Sequence, residues 1–579
     1  MHYIYLKIRA HLKPSFTLMF IMLFCLSCSA QSFRLIIKGS NSFETKTIDS
    51  LKYIAKHENT KSINDELIRI SQKLSNIGYI DNTTQEFNAK NDSIFVANLK
   101  LGPKMSTVYI NVGSDLMLQQ IPKLKKKDTL TISYIEINSF LNQTIQQLEE
   151  NGFALAKVNL TNISRKKNEI YADLRVESDQ KRILNAIIVN FKDTNQNAKF
   201  PKGHLAQIKR KYKNTLFNQK MINQIYQDFE KFQFTNQVKY PEILFTKDST
   251  KAYVYLEKRK SNSFDGFIGF SNNETNKIRL NGYADIKLEN ILGSGELLSI
   301  YWKSDGNDQK TFNANIELPY LLKSPIGLKA QIQLFRQDST FQNTKTAIDL
   351  SYFANYNTRF YLGYQRTASS DIQNALETSV GDFNNLFVTA SLDYKKLDQY
   401  NNTFLIKTAL NFTTGTGNRQ ILNEIAEKTK SSQKFITIEA SHNFNLNKKN
   451  SINIKSQNYY LKSNRYLDNE LYRFGGFNSI RGFTENSLRA YFTTSLLTEY
   501  RYIITSSLYV HSILDYCFYK NRTNLEKADN TNKLLAIGFG FGLQINNGLL
   551  KFALANGKSE NQQIEFYNTI VHISYNVKF

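Results

Sequence analysis

Cysteine is almost missing from this chain of 579 residues, which has only Cys25, Cys28 and Cys517. The first two form a C-x-x-C, but they sit in an N-terminal stretch that reads as a targeting segment. A disulfide framework within one chain is therefore excluded, and a redox motif would not survive processing. Long apolar runs are also missing. Beyond the N-terminal stretch no continuous apolar segment of about 18 residues occurs, which excludes a helical membrane protein. Histidine is sparse and scattered, at His2, His11, His57, His204, His442, His511 and His572. None of these forms an H-E-x-x-H or another ligand-spaced cluster, so no metal, cofactor or catalytic activity is expected.

The N-terminus does carry Lys7, Arg9, His11 and Lys13, an apolar run from Phe16 to Leu26, and then small residues. This is the layout of a signal peptide over residues 1–30. Cleavage after Ala30 is the favoured reading; lipidation at Cys28, behind Leu26-Ser27, is the alternative. Either way the chain is exported. The net charge is +24, with basic runs at Lys125-Lys126-Lys127 and Lys209-Arg210-Lys211. For an exported chain such runs suit anionic lipid headgroups or solvated faces better than nucleic acid.

Aromatic residues are plentiful, with 33 Tyr and 40 Phe against one Trp, although mean hydropathy is only −0.42. Alternation reconciles the two numbers. In the last stretch Val571, Ile573, Tyr575, Val577 and Phe579 share one strand face, while His572, Ser574, Asn576 and Lys578 share the other. Ile436, Ile438, Ala440, Phe444 and Leu446 alternate in the same way with Thr437, Glu439, Ser441, Asn443 and Asn445. Ile278, Leu280, Ala284, Ile286 and Leu288 alternate with Arg279, Asn281, Tyr283, Asp285 and Lys287. From residue 261 to 579 about sixteen such segments, parted by polar loops, predict a closed transmembrane barrel with lipid outside and water inside. Its seam would join strand Phe264–Ser271 to strand Thr569–Phe579.

Residues 31–260 have a different pattern. Three units, over 31–103, 104–179 and 180–260, each read as strand, helices and two closing strands. In the first, Leu67, Ile70, Leu74 and Ile77 stripe a helix that stops at Gly78-Tyr79; in the second, a helix over Ile137–Glu150 stops at Gly152-Phe153. The two glycines lie 74 residues apart. In the third unit Phe229…Gln233-Phe234 takes the same offset without glycine. The period marks a tandem array.

The order strand, helix, helix, strand, strand resembles POTRA modules. The segment Phe474-Gly475-Gly476-Phe477-Asn478-Ser479-Ile480-Arg481-Gly482-Phe483 resembles the Arg-Gly-Phe/Tyr loop of the outer-membrane assembly and translocation superfamily. That group includes BamA-like and TamA-like insertases, two-partner secretion pores and bacterial surface antigen barrels. Leu497-Thr498-Glu499-Tyr500-Arg501-Tyr502 is similar to the family's Glu-x-Arg strand. Ile513-Leu514-Asp515-Tyr516-Cys517 is similar to its Phe-x-Asp-x-Gly strand, with Leu514 and Cys517 as departures. Leu288–Gly295 and Leu318-Pro319-Tyr320 look like family hairpin turns, explained by turn chemistry alone.

The resemblance implies α+β POTRA-like repeats followed by an all-β 16-stranded barrel in the outer membrane, with the repeats in the periplasm. It implies a loop whose Arg481, with Gly482 and Phe483, reaches Asp515, or second Glu499, on the inner wall. Tyr575, Val577 and Phe579 would mark the terminal strand. The expected activity is capture of unfolded outer-membrane precursors by the repeats and their insertion at the seam, beside outer-membrane lipids and with lipoprotein or inner-membrane partners. Three repeats lean toward a TamA-like or accessory role. A secretion pore exporting one dedicated polypeptide is the alternative, and a surface-exposed structural barrel a third.

Overall fold

The computed structural model describes residues 32–113, 117–122, 124, 128–192, 200–272, 278–304, 309–373, 379–398, 404, 406–421, 429–521, 531–545, 548–560 and 562–579. The expected export signal, with Cys28 and Ala30, and the Lys125-Lys126-Lys127 run lie outside the described residues, as do the side chains of Ile278 to Asn281. The chain divides into two compact units, one reaching Ile183 and including Leu216–Lys220, the other made of Leu184–Thr215 and Met221–Phe579.

The first unit holds two α/β modules. In the first module, β1 (Phe33–Gly39), α1 (Ser42–Ser50), the short β2 (Lys56–His57), α2 (Thr60–Asn76), β3 (Thr83–Asn91) and β4 (Ile94–Lys100) build a sheet of order β2-β1-β4-β3. Strands β1 and β4 run parallel. Asn59 caps α2 by accepting the Ser62 amide at 2.8 Å. Ile63, Leu67, Ile70 and Leu74, three or four residues apart, put one face of α2 onto Leu35, Ile37, Ala97 and Leu99. Gly78 follows at φ +109°, and its carbonyl accepts the Met105 amide at 2.8 Å. A Cβ there would lie 2.4 Å from the Met105 carbonyl oxygen, so only glycine fits.

The second module has the helix expected over Ile137–Glu150. Its β5 (Thr107–Asn111) is followed by a single turn of 3₁₀ helix, β6 (Thr129–Ser133), α3 (Ile137–Glu150), β7 (Lys157–Lys166) and β8 (Glu169–Glu177), in sheet order β6-β5-β8-β7. Among the described residues it has one α-helix. Gly152 repeats the first joint: at φ +94° its carbonyl accepts the Arg182 amide at 2.8 Å.

In the second unit β9 (Leu184–Lys192), α4 (Lys202–Tyr212), α5 (Gln219–Glu230), β10 (Thr235–Phe245) and β11 (Thr250–Lys258) form the third module, of sheet order β10-β11-β9. The Lys209-Arg210-Lys211 run is the last turn of α4, where positive charge complements the helix dipole.

A closed sixteen-stranded barrel follows. Its strands are β12 (Ser263–Asn272), β13 (Ile278–Glu289), β14 (Leu297–Ser304), β15 (Gln309–Leu318), β16 (Ile326–Gln337), β17 (Phe341–Asn355), β18 (Thr358–Asp371), β19 (Phe383–Leu397), β20 (Ile406–Ile421), β21 (Thr429–Asn445) and β22 (Asn450–Lys462). After a small hairpin, β23 (Tyr472–Phe474) with β24 (Leu488–Ala490), come β25 (Phe492–Ile503), β26 (Leu508–Lys520), β27 (Thr531–Ile545), β28 (Gly548–Lys558) and β29 (Ile570–Lys578). All neighbouring barrel strands are antiparallel. The barrel is built inside out. Along β17, Ile348, Leu350 and Tyr352 are 61%, 53% and 52% exposed, whereas the intervening Asp349 and Ser351 are buried. An apolar exterior around a polar interior is what a lipid-embedded wall requires. On β29, Val571, Ile573 and Tyr575 face outward, as does Phe579 just beyond it.

The wall is uneven at one place. Strand β29 pairs with β12 through only Ser263–Lys578, Phe264–Val577 and Asp265–Asn576, while β28 pairs with β29 over eight residues and β12 with β13 over ten.

Candidate functional site

Between β22 and β25 the chain does not stay at the rim. Residues 463–491 fold into the lumen around the β23–β24 hairpin. Gly475 and Gly476, at φ +106° and +100°, allow the backbone to turn there.

The structure places Arg481 at the inner wall, 3% exposed, against a fully buried Asp515. Its Nε donates to Asp515 Oδ2 at 2.7 Å and its Nη2 to Oδ1 at 2.5 Å, a bidentate pair, and the Arg481 amide donates to Oδ2 at 3.2 Å. Nη1 donates to Glu499. Arg501 in turn donates to Glu499 Oε2 at 2.7 Å, and its guanidinium lies 4.4 Å from the Phe404 ring centre. Two carboxylates thus meet two guanidinium groups, and the charges balance.

Gly482 and Phe483 have equally definite surroundings. Gly482 sits at φ +79°, and a Cβ on it would lie 2.6 Å from the Asn556 carbonyl carbon on β28. Phe483 packs with Phe474, Ile480, Cys517, Leu534 and Ala536, while Gly557 leaves space for its ring. Leu514 points outward, so the first departure from the family strand does not touch the loop; Cys517 is part of the loop's apolar seat. Gly538, Gly540 and Gly542 give β27 an almost bare inner face. A Cβ on Gly540 would lie 2.6 Å from the His511 ring, and one on Gly542 2.2 Å from that of Tyr509. Gly540 and Gly542 therefore clear lumenal space for the rings beside them.

Sequence reasoning missed a second buried ion pair, Arg419 with Glu470. The two are 51 residues apart on different elements, and no motif marks either. It also gave too little weight to the two hairpin turns. The β13–β14 turn is held by Glu296, which accepts from Ser294 Oγ at 2.8 Å, and ends on Gly295, which His204 of α4 packs against so closely that a Cβ would clash with Nε2. Tyr320, at φ +52°, lies 4.7 Å from the His204 ring and against Gly203. Phe232 meets Tyr356 at 4.8 Å, and Gln207 Nε2 donates to the Lys323 carbonyl at 2.7 Å. So these turns dock the third module. Burial among these rings, with the Arg359 charge adding to it and a contact to the Gly295 backbone opposing, pulls the His204 imidazole down to about 3. Beside this joint a cavity of about 290 Å³ is lined by Tyr226, Glu230, Arg259, Asp398 and Lys578, at the module-side end of the seam.

Among the described residues no group of three or more His, Cys, Asp and Glu side chains is arranged to hold a metal ion.

Residues 290–570 match the Omp85 superfamily domain. The barrel is an Omp85 superfamily domain. Among solved structures, CdiB from Acinetobacter baumannii is similar at a TM-score of 0.50 and 12% identity, over 90% of this chain and 98% of that one. BamA from Haemophilus ducreyi lacking POTRA domains 1-3 gives a TM-score of 0.46 at 14% identity, over 81% and 98%. No curated protein matches the chain. At such identities the likeness is one of fold: α/β modules resembling POTRA, then sixteen antiparallel strands. An Omp85 barrel belongs to the outer membrane, in a family that handles outer-membrane or secreted polypeptides.

Proposed function

We propose that this Omp85 protein assembles outer-membrane β-barrels, with its three modules in the periplasm. The observation that carries the reading is the seam. Three paired residues hold β12 to β29, against eight or more at every other barrel interface. A thin edge costs little to open, and an opened strand edge templates another strand. The modules would capture unfolded precursors by lending sheet edges; β3, whose residues are all exposed, is one such edge. Exchange of strand pairing and burial of apolar surface in lipid supply the drive, so no cofactor is needed. Tyr575, Val577 and Phe579 would form the lipid-facing side of the gate strand. Arg481, held by Asp515 and Glu499, would keep the loop and the wall around it in one arrangement. Accessory lipoproteins or an inner-membrane partner would dock on the modules.

A bore occupied by residues 463–491 weighs against the alternative, a pore dedicated to one secreted polypeptide. Depletion of the protein followed by outer-membrane proteomics separates the two. Broad loss of barrels is the expected result; loss of a single secreted protein would favour the pore, and an unchanged proteome would refute both.

A further inference from the structure

The lumenal loop is held at both ends, by ion pairs of opposite polarity. At its tip the loop supplies the cation, Arg481. At its base it supplies the anion: Glu470 accepts from Arg419 of β20, from Gln433 of β21 at 2.5 Å and from Asn385 of β19 at 3.3 Å. Arg419 is 1% exposed and also donates to the Arg465 carbonyl at 2.9 Å, so one wall side chain fixes two points of the loop. We propose that Arg419 and Glu470 are positioning residues that tie the base of the loop to its own arc of the wall, so that the bore stays spanned until both ties release.

The contacts divide by arc. Near the base, Arg473 donates to Gln337 of β16 at 3.2 Å and lies 5.1 Å from the rings of Phe335 and Phe341. Asn343 of β17 donates to the Asn469 carbonyl at 2.6 Å, and Asn469 donates to Ser369 of β18 at 2.7 Å. The base is therefore attached to β16 through β21. The tip is attached elsewhere: Lys455 of β22 donates to the Asn478 carbonyl at 3.2 Å, Arg481 reaches β25 and β26, and Gly482 abuts β28. Phe477 lies 5.2 Å from His572 on β29, and Glu485 pairs with Lys303 on β14 at 3.2 Å. Between base and tip the chain must cross the bore, and the tip touches strands on both sides of the seam.

The setting of the second pair is dry, with Phe387, Phe435, Leu461, Leu471 and Tyr491 clustered by it. In such a place, two charges stabilise no better than an apolar pair of the same volume, but they accept one geometry. Positioning is the use that fits. The proposal concerns the bore and holds whichever polypeptides the protein handles.

Conductance of the full chain in planar lipid bilayers tests it, with heat-shifted electrophoretic mobility reporting whether each barrel is folded. Glu470→Gln is expected to raise open probability on the order of a hundredfold. Arg419→Lys, a milder change, should raise it less. Adding Asp515→Asn to Glu470→Gln should exceed either change alone. Exchanging the pair, as Arg419→Glu with Glu470→Arg, should bring conductance back toward the native value, which mere loss of folding would not allow. Folded Glu470→Gln and Arg419→Lys barrels that conduct no more than the native chain would overturn the proposal. A folded exchange variant as leaky as Glu470→Gln would do the same.

Discussion

Asp515→Asn removes the charge opposite Arg481 while keeping the shape of the side chain. In the native barrel, Asp515 accepts three hydrogen bonds from Arg481, at 2.7, 2.5 and 3.2 Å, with no exposure to solvent. Asparagine offers one oxygen in place of two and turns an NH₂ toward a guanidinium donor. Glu499 still faces Arg481 but already accepts from Arg501. Removing one partner of a buried pair costs about 3–5 kcal/mol. At 1.4 kcal/mol per factor of ten, the ratio of seated to released loop should fall on the order of a hundredfold to a thousandfold. A reporter thiol at Asn478, next to the tip, reads that ratio through its rate of modification by a membrane-impermeant reagent. Labelling should be slow in the native barrel and much faster in the variant. Equal rates in two folded barrels would refute the reasoning, because the pair would then not be holding the loop.

Gly482→Ala should cost about 1–3 kcal/mol, from its positive φ and from contact with the Asn556 backbone, seen as a lower unfolding temperature in detergent. Phe483→Ala should cost about 3–5 kcal/mol by the same measurement, since the ring is buried among Phe474, Ile480 and Leu534. The joint of the third module should be sensitive to acid. His204 has a folded pKa pulled from 6.5 to about 3, so the stabilisation is complete above about pH 6.5 and is lost as pH falls toward 3. The loss should reach about 2 kcal/mol at pH 5. Hydrogen exchange of α4 should rise over that range, and His204→Phe should remove the pH dependence.

The barrel was legible because lipid imposes a pattern. Every outward residue must be apolar, so Val571, Ile573 and Tyr575 announce their face without any knowledge of neighbours. Arg481 and its two acids were legible because each stands in a short motif and the three occur in a fixed order. Arg419 and Glu470 were not, because a single charge in an alternating strand or in a polar loop looks like any other until the loop's path is known. The turns at Gly295 and Tyr320 satisfied turn chemistry fully, which concealed their second role under His204. The shortness of the seam could not be read at all. Strand β29 has the regularity to pair along its whole length, and register depends on the closed barrel rather than on either strand.

A disulfide across the seam tests the central claim most directly. Phe264 and Val577 are register partners, and cysteines at both positions would lock β12 to β29. In vesicles carrying the locked protein, insertion of an unfolded outer-membrane precursor should stop, and reduction should restore it. Insertion at the native rate with the seam still oxidised would contradict a laterally opening barrel.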